Sequence, residues 1–172
     1  NWQVENFGSD EKITVPEDAI LWNIDTQRWE NVGVTSEATS KITFDLILGN
    51  WHHEQRMDMN DILYSLYFLQ EWGSEQQESD DTYDAEYSPQ AVQNVKTLVG
   101  IKPIDDDTVE VYVDYWHFDE AEIAAWAAPW SSMPWEIVSA SEDAVLDGKV
   151  SFSRSGSVSK SVKWLSLLIP ND

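Results

Sequence analysis

Two groups of residues in this chain carry side chains that could bind a metal ion. The His-His-Glu run at 52–54 holds imidazole and carboxylate ligands, and Asp105–Asp107 holds the carboxylates that calcium prefers. Neighbouring residues of an extended segment point to opposite sides, so the side chains of residues 52–54 are poorly placed to bind the same ion. The aspartates lack the Asp-x-Asp-x-Asp-Gly spacing of an EF-hand. We interpret the first group as polar surface and the second as a turn, and we predict no metal site.

No other residue pattern points to catalysis. The chain contains 32 acidic residues, so pairs of carboxylates arise by chance and none stands out as a glycosidase pair. It has no Cys, which excludes disulfides, thiolate ligands and Cys nucleophiles. The sequence also lacks the Gly-x-Ser-x-Gly, Walker A and Gly-x-Gly-x-x-Gly patterns. We therefore predict a protein that is not an enzyme and that has no catalytic residue and no cofactor.

The chain is strongly acidic. Its formal net charge is −22, with 10 Lys and Arg residues, and none of these lies between Met57 and Val95 or between Pro103 and Gly148. Such a surface repels phosphate backbones, which argues against nucleic acid as a partner. The acidity fits simple solubility, a high-salt medium or an acidic medium, and one sequence does not separate these explanations.

Tryptophan is unusually frequent, with 10 of the 172 residues, and the positions are spread from Trp2 to Trp164. Because an indole carries a large apolar area and a single donor, we expect most of these side chains to lie in the core. The functional alternative is a surface on which sugars or peptides stack.

Hydrophobic periodicity predicts strands and helices in an irregular order. Alternation at Ile42–Leu48 and Thr108–Tyr115 is typical of half-buried strands, and the second strand should pair with 100–104 through the aspartate turn. Helical spacing after the cap Asp58 predicts a first helix. Further strands are predicted at 19–24 and 28–32, and further helices at 88–99, 120–128 and 135–146. We therefore predict an α+β fold with a mixed, largely antiparallel sheet packed with about four helices.

Breaker residues suggest how the predicted elements are separated. Gly73 is expected to end the first helix in a left-handed cap, and Gly100 is expected to end the second. Between them, the acidic stretch 74–87 is predicted to be an exposed, mobile loop.

The chain is predicted to form one domain over residues 1–148, followed by a Ser-rich tail or connection over 149–172. Serine occupies every second position from Ser151 to Ser161, which fits a linker or an edge strand. The apolar stretch Trp164–Ile169 is expected to cover other residues. No run reaches the roughly 18 apolar residues of a membrane span. The residues that follow Asn1 do not have the pattern of a signal peptide, so we expect the sequence to begin at a boundary within a longer protein.

Several stretches of the chain resemble one family. Thr43–Leu46 is followed by Trp51 and then by Asn60–Ser65, in the order strand, tryptophan bend, capped helix. Ile101–Val111 then places two strands around the aspartate turn, and Pro134-Trp135-Glu136 follows. This order is similar to that of the peptide/nickel-type (family 5) extracellular solute-binding proteins of ABC transporters, with archaeal members the most alike. The match covers residues 19–148. Where the family's bend carries Gly and Pro, this chain has Glu54 and Arg56, which predicts a different turn.

The resemblance implies a fragment that covers mainly the accessory subdomain of lobe one of a two-lobed protein. Such a protein binds oligopeptides or similar solutes outside the cytoplasm, at the cell surface or in the periplasm, and delivers them to an ABC permease. The membrane would be reached only through an anchor outside the fragment. Tyr64 is the one ligand-binding residue that the resemblance implies. Two alternatives stay open: a carbohydrate-binding module with a tryptophan stacking surface, and an acidic surface-layer or adhesion domain.

Overall fold

The computed structural model describes residues 1–78 and 80–165, which form an α+β fold. Within this part of the chain the elements are β1 Trp2–Asn6, β2 Ile13–Thr14, β3 Ile20–Asn23, β4 Arg28–Asn31, β5 Glu37–Ala38, β6 Ser40–Asp45, α1 Met59–Gly73, α2 Ser88–Thr97, β7 Leu98–Pro103, β8 Thr108–Val113, α3 Glu120–Ala127, α4 Trp135–Leu146, β9 Val150–Ser151, α5 Arg154–Lys160 and β10 Lys163–Trp164. None of the described helices is long and apolar enough to cross a membrane.

Six strands form the main sheet, in the order β1-β6-β8-β7-β3-β4. Every neighbouring pair in it is antiparallel. The predicted hairpin is confirmed: β7 and β8 pair through the turn at 104–107, where the Asp105 side chain accepts from the backbone N–H of Asp107 and Thr108. The prediction of an α+β fold with a largely antiparallel sheet is therefore confirmed, and five helices are described rather than four.

Strand β6 shows why one face of the sheet is buried. Ile42 and Phe44 point to the same face and lie among Val109, Val111 and the α3 side chain of Ile123. The predicted strand continues to Leu48, but the observed strand ends at Asp45 because its pairing partner β8 begins opposite it. Beyond that point Ile47 is 92% exposed.

Helix α1 begins as predicted. The Asp58 side chain accepts from Asn60 N at 2.8 Å, while the Asp61 side chain accepts from Asp58 N at 3.0 Å, which completes a capping box. Such a cap stabilises a helix by about 1 kcal/mol. It fixes the direction in which α1 leaves the bend at 49–57.

The two glycines predicted to end helices have other roles. Gly73 is the last residue of α1, and a Cβ there would overlap the Ala91 methyl of α2, so glycine permits the close approach of the two helices. Helix α2 ends at Thr97, not at Gly100. Gly100 lies in β7 opposite Tyr112, where a Cβ would crowd Val15. The predicted end of α1 near Gly73 is confirmed, but the left-handed cap there is wrong, since Gly73 has no positive φ. The predicted end of the second helix at Gly100 is wrong.

The acidic stretch after α1 is partly buried. Asp84 N donates to Trp72 O at 2.9 Å, and Thr82 Oγ1 donates to Glu71 Oε1 at 3.0 Å. Asp84 itself is buried. The prediction of an exposed loop is therefore wrong for 82–84, because these residues satisfy polar groups at the end of α1.

The Ser-rich stretch is a helix, not a linker or an edge strand. Ser153 caps α5 by accepting from Gly156 N at 3.0 Å, and the short strands β9 and β10 pair in parallel on either side. Phe152 lies edge-on to Phe68 and Trp72, with ring centroids 5.1 and 4.7 Å away. The division of the chain at residue 148 stays a prediction, and 166–172, with most of the predicted apolar cover, lies outside the described residues.

Candidate functional site

Asp61 joins three parts of the chain at the start of α1. This buried carboxylate accepts from Trp51 Nε1 at 3.3 Å and from Asp58 N at 3.0 Å through Oδ2. Its Oδ1 accepts from Trp135 N at 3.0 Å. The tryptophan bend, the helix cap and the start of α4 therefore meet at one side chain.

The bend itself is a tight turn. Trp51 N donates to Gln55 O at 2.8 Å, and Met57 N donates to Gly49 O at 2.9 Å. Glu54 has a φ of 71°, in the left-handed region that glycine favours. Glu54 therefore takes a conformation that favours glycine, and a turn different from the family's stays a prediction.

Glu142 lies between α4 and α1 and is only 5% exposed. It accepts from the hydroxyls of Tyr64 and Tyr67 and from Trp72 Nε1. No lysine or arginine among the described residues pairs with it. Burial, and then the hydrogen bond to this carboxylate, raise the pKa of Tyr64. Burial and the charge of Glu142 also raise the pKa of Tyr67.

Glu71, one turn from the end of α1, has a similar environment. It is fully buried and accepts from Trp22 Nε1 at 2.6 Å, from Gln27 Nε2 at 3.1 Å and from Thr82 Oγ1 at 3.0 Å. Like Asp61 and Glu142, it is held by neutral donors, and an indole N–H is one of them in each case. Each of these carboxylates therefore joins α1 to another part of the chain.

An open groove of about 580 Å³ runs beside α1. Helix α1 forms one wall, the connection between α3 and α4 forms another, and residues 152 and 164–165 close the end. Aliphatic and aromatic side chains, serines and one asparagine line it, without a charged residue: Ser65, Leu66, Phe68, Leu69, Tyr87, Asn94, Ala128, Trp130, Ser131, Ser132, Met133, Val138, Ser141, Phe152, Trp164 and Leu165. Its volume lies within the range of small-molecule sites.

No protein-family model and no curated protein matches this chain. The candidate site is therefore defined by geometry alone.

The ring of Tyr64, the predicted ligand-binding residue, lies half-buried between α1 and α4. It is edge-on to Tyr67 and tilted against Trp135, with centroids 5.0 and 5.9 Å away. Its hydroxyl already donates to Glu142. Tyr64 is not among the residues that line the open groove, although its neighbour Ser65 is. Tyr64 as a ligand-binding residue stays a prediction.

The residues considered as metal ligands remain apart. His53 Nε2 lies 3.0 Å from Gln55 Oε1 in the exposed bend, and Asp105 is occupied by its own turn. Within residues 1–78 and 80–165, no three His, Asp or Glu side chains are grouped to hold a metal ion.

Sequence reasoning missed the groove and misjudged the tryptophans. Only Trp72 is fully buried, whereas Trp130 is 69% exposed and Trp164 is 59% exposed. The signal for Trp130 was present, because it lies between Pro129 and two serines, where a helix cannot continue. No local signal joined Trp130 to Trp164, since only the folding of α5 brings them to one groove.

Proposed function

We propose that this chain is part of an extracytoplasmic solute-binding protein of an ABC transporter, in which it forms the accessory subdomain of the first lobe. The intact protein closes two lobes on an oligopeptide or similar solute, and the permease senses that closure. The chain itself carries no catalytic group in this role.

The observation that carries the proposal is the convergence on Asp61. Trp51, the helix cap and Trp135 belong to stretches through which the sequence resembles that family, and Trp135 lies 74 residues from Asp61 along the chain. One buried carboxylate accepts a hydrogen bond from each. A shared contact of this kind supports the view that these stretches are one structural motif.

The backbone of Glu54 supports the proposal independently. The family pattern has Gly at this position, and Glu54 has the positive φ that Gly favours. A non-glycine residue in this conformation is uncommon, so a match at this position is informative.

Tyr64 is the proposed contact with the solute. Because its hydroxyl donates to Glu142, the solute would meet the ring rather than the hydroxyl. Tyr64→Phe should therefore leave solute affinity within about threefold, whereas Tyr64→Ala should weaken it at least tenfold, as fits the loss of roughly 1.4 kcal/mol or more.

Scattering and calorimetry on two proteins test this role. The intact gene product that contains this segment should contract in small-angle X-ray scattering when a mixture of oligopeptides is added, and its titration should saturate. Residues 1–172 alone should fold and give no saturable heat with the same mixture. Micromolar peptide binding by the isolated chain, or an intact product without a second lobe, would contradict the proposal.

A further inference from the structure

Hydrogen bonds hold the backbone of Trp130 and the indole of Trp164, the two exposed tryptophans of the groove. Ser65 Oγ donates to Trp130 O at 2.8 Å, which ties the connection between α3 and α4 to α1. Trp164 Nε1 donates to Phe152 O at 3.0 Å, which orients the indole while 59% of the residue stays exposed. An indole whose position is set beforehand loses little conformational freedom when a ligand stacks on it.

The charge of the groove differs from that of the molecule. The chain has a net charge of −22, yet no residue that lines the groove is charged. A free peptide would bring two charged termini into a site without counter-charges, which is unfavourable. An anion would be repelled by the surrounding field. The groove therefore suits a ligand without charge.

Polar groups in the groove narrow the ligand class further. Tyr87, Asn94 and Ser132 are among the residues that line it, and none of their side chains donates to another described residue. An acyl chain would cover such groups without satisfying them. A sugar offers an apolar face for an indole and hydroxyls for these donors and acceptors.

We propose that the uncharged groove flanked by Trp130 and Trp164 binds a neutral oligosaccharide. The sugar ring stacks on the exposed indoles, and its hydroxyls bond to Tyr87, Asn94 and Ser132. The site lies wholly within this chain and does not depend on the chain being part of a solute-binding protein.

Titration with neutral and charged oligosaccharides tests the site. Cellohexaose, mannohexaose and chitohexaose would be added to the full chain and followed by tryptophan fluorescence and calorimetry. At least one should bind saturably, while an oligogalacturonate of similar length should not. Failure of every neutral probe, or equal binding of the anionic one, would overturn the proposal.

Matched variants locate the binding. Trp130→Ala and Trp164→Ala should each weaken binding at least tenfold, whereas Trp116→Ala, at another exposed tryptophan (41%), should not change it. Trp130→Phe keeps an aromatic ring and should lose less than Trp130→Ala, which guards against a variant that fails to fold. Undiminished binding by both alanine variants would place the sugar elsewhere and refute the site.

Other occupants give different results. If Trp130→Ala abolishes a concentration-dependent dimer seen by ultracentrifugation, the groove is an interface between copies and the proposal is wrong. It is equally wrong if the sugar binds only to a chain that ends at Leu165, since residues 166–172 would then be the occupant. Binding of an end-capped apolar peptide in place of sugar would also overturn it.

Discussion

The carboxylates beside α1 and those on the face of the sheet that carries Lys41 have different partners: neutral donors in the first case and lysines in the second. Glu142, Glu71 and Asp61 are buried and accept from indole, phenol, amide and backbone donors. On the sheet, the exposed Glu5 and the half-buried Glu110 share Lys41, whose Nζ lies 3.5 Å from Glu110 Oε1.

Two of the chain's 10 basic residues, Lys41 and Lys102, pair with acids on the sheet. Lys102 Nζ lies 2.7 Å from Asp18 Oδ1, and the Tyr112 hydroxyl donates to Glu110 Oε2 at 2.6 Å. Burial opposes the charged form of Lys41, but its hydrogen bond to Glu5 and the charge of Glu110 outweigh this and raise its pKa. The hydrogen bond from Lys102 lowers the pKa of Asp18.

The contrast shows how an acidic chain can satisfy its buried acids. A chain with 10 basic residues and 32 acidic ones cannot pair each carboxylate with a cation. Neutral donors satisfy a carboxylate without a second desolvated charge. Hydrogen bonds beside α1 should therefore resist salt, whereas ion pairs on the sheet should weaken in it.

Removal of Glu142 should have the largest effect. Glu142→Ala leaves the buried Trp72 indole and two half-buried phenols without an acceptor, so we expect a loss of about 3–5 kcal/mol in the free energy of unfolding. Urea denaturation at low and high salt measures it, and the loss should be equal in both. A loss that shrinks in high salt would show that the cluster behaves like the surface pairs.

Alkaline titration tests the two phenols that donate to Glu142. The folded-state pKa of Tyr64 and Tyr67 lies above the ordinary value of 10.0. Their contribution to stability is therefore complete below pH 10.0 and falls as the pH rises through the folded values. The titration is followed by phenolate absorbance at 295 nm in about 0.1 M salt, where charges are screened beyond about 10 Å. Both tyrosines should ionise only as the chain unfolds. Ionisation of all tyrosines in one step near the ordinary value would contradict the burial of this cluster.

A change of Trp22 tests a single indole donor. Trp22→Phe keeps an aromatic ring but removes the hydrogen bond to Glu71, so we expect a loss of about 1.5–3 kcal/mol. Trp116→Phe, at an exposed indole, is the control and should change stability by less than about 0.5 kcal/mol. Equal stability of the two variants would show that the indole donor is dispensable.

Removal of Lys41 should have the smallest effect. Lys41→Met breaks two ion pairs but keeps the apolar part of the side chain, which predicts a loss of about 0–1 kcal/mol at low salt and less at high salt. Denaturation of Lys41→Met and Glu142→Ala across the same salt series gives the comparison directly. A larger loss for Lys41→Met would reverse the ranking of the two regions.

The sequence predicted those parts of the fold that local rules determine. The Asp58 cap, the aspartate turn and the bounds 135–146 of α4 follow from caps, breakers and alternation. No strand was predicted over the first residues, yet β1 pairs with β6. The pairing joins residues that are far apart along the chain, and local patterns do not reveal it. Helix α5 was missed because serine favours caps and loops, and its packing overrides that preference.

The candidate site was less predictable than the fold. Glu71 and Glu142 look like ordinary surface acids in the sequence, and only the helix packing shows that indoles and phenols surround them. The resemblance led to Tyr64, which lies next to Ser65 of the groove but does not line it. The groove is lined by residues 130 and 164, and no local sequence pattern predicts that these two residues lie close together.

The position of Phe152 has a consequence for limited proteolysis. Its ring lies against Phe68, Trp72 and Tyr87, while the turn at Asp147–Lys149 is exposed. A protease that nicks this turn would leave two polypeptides held by one aromatic cluster. The products would separate on a denaturing gel yet elute together from a sizing column.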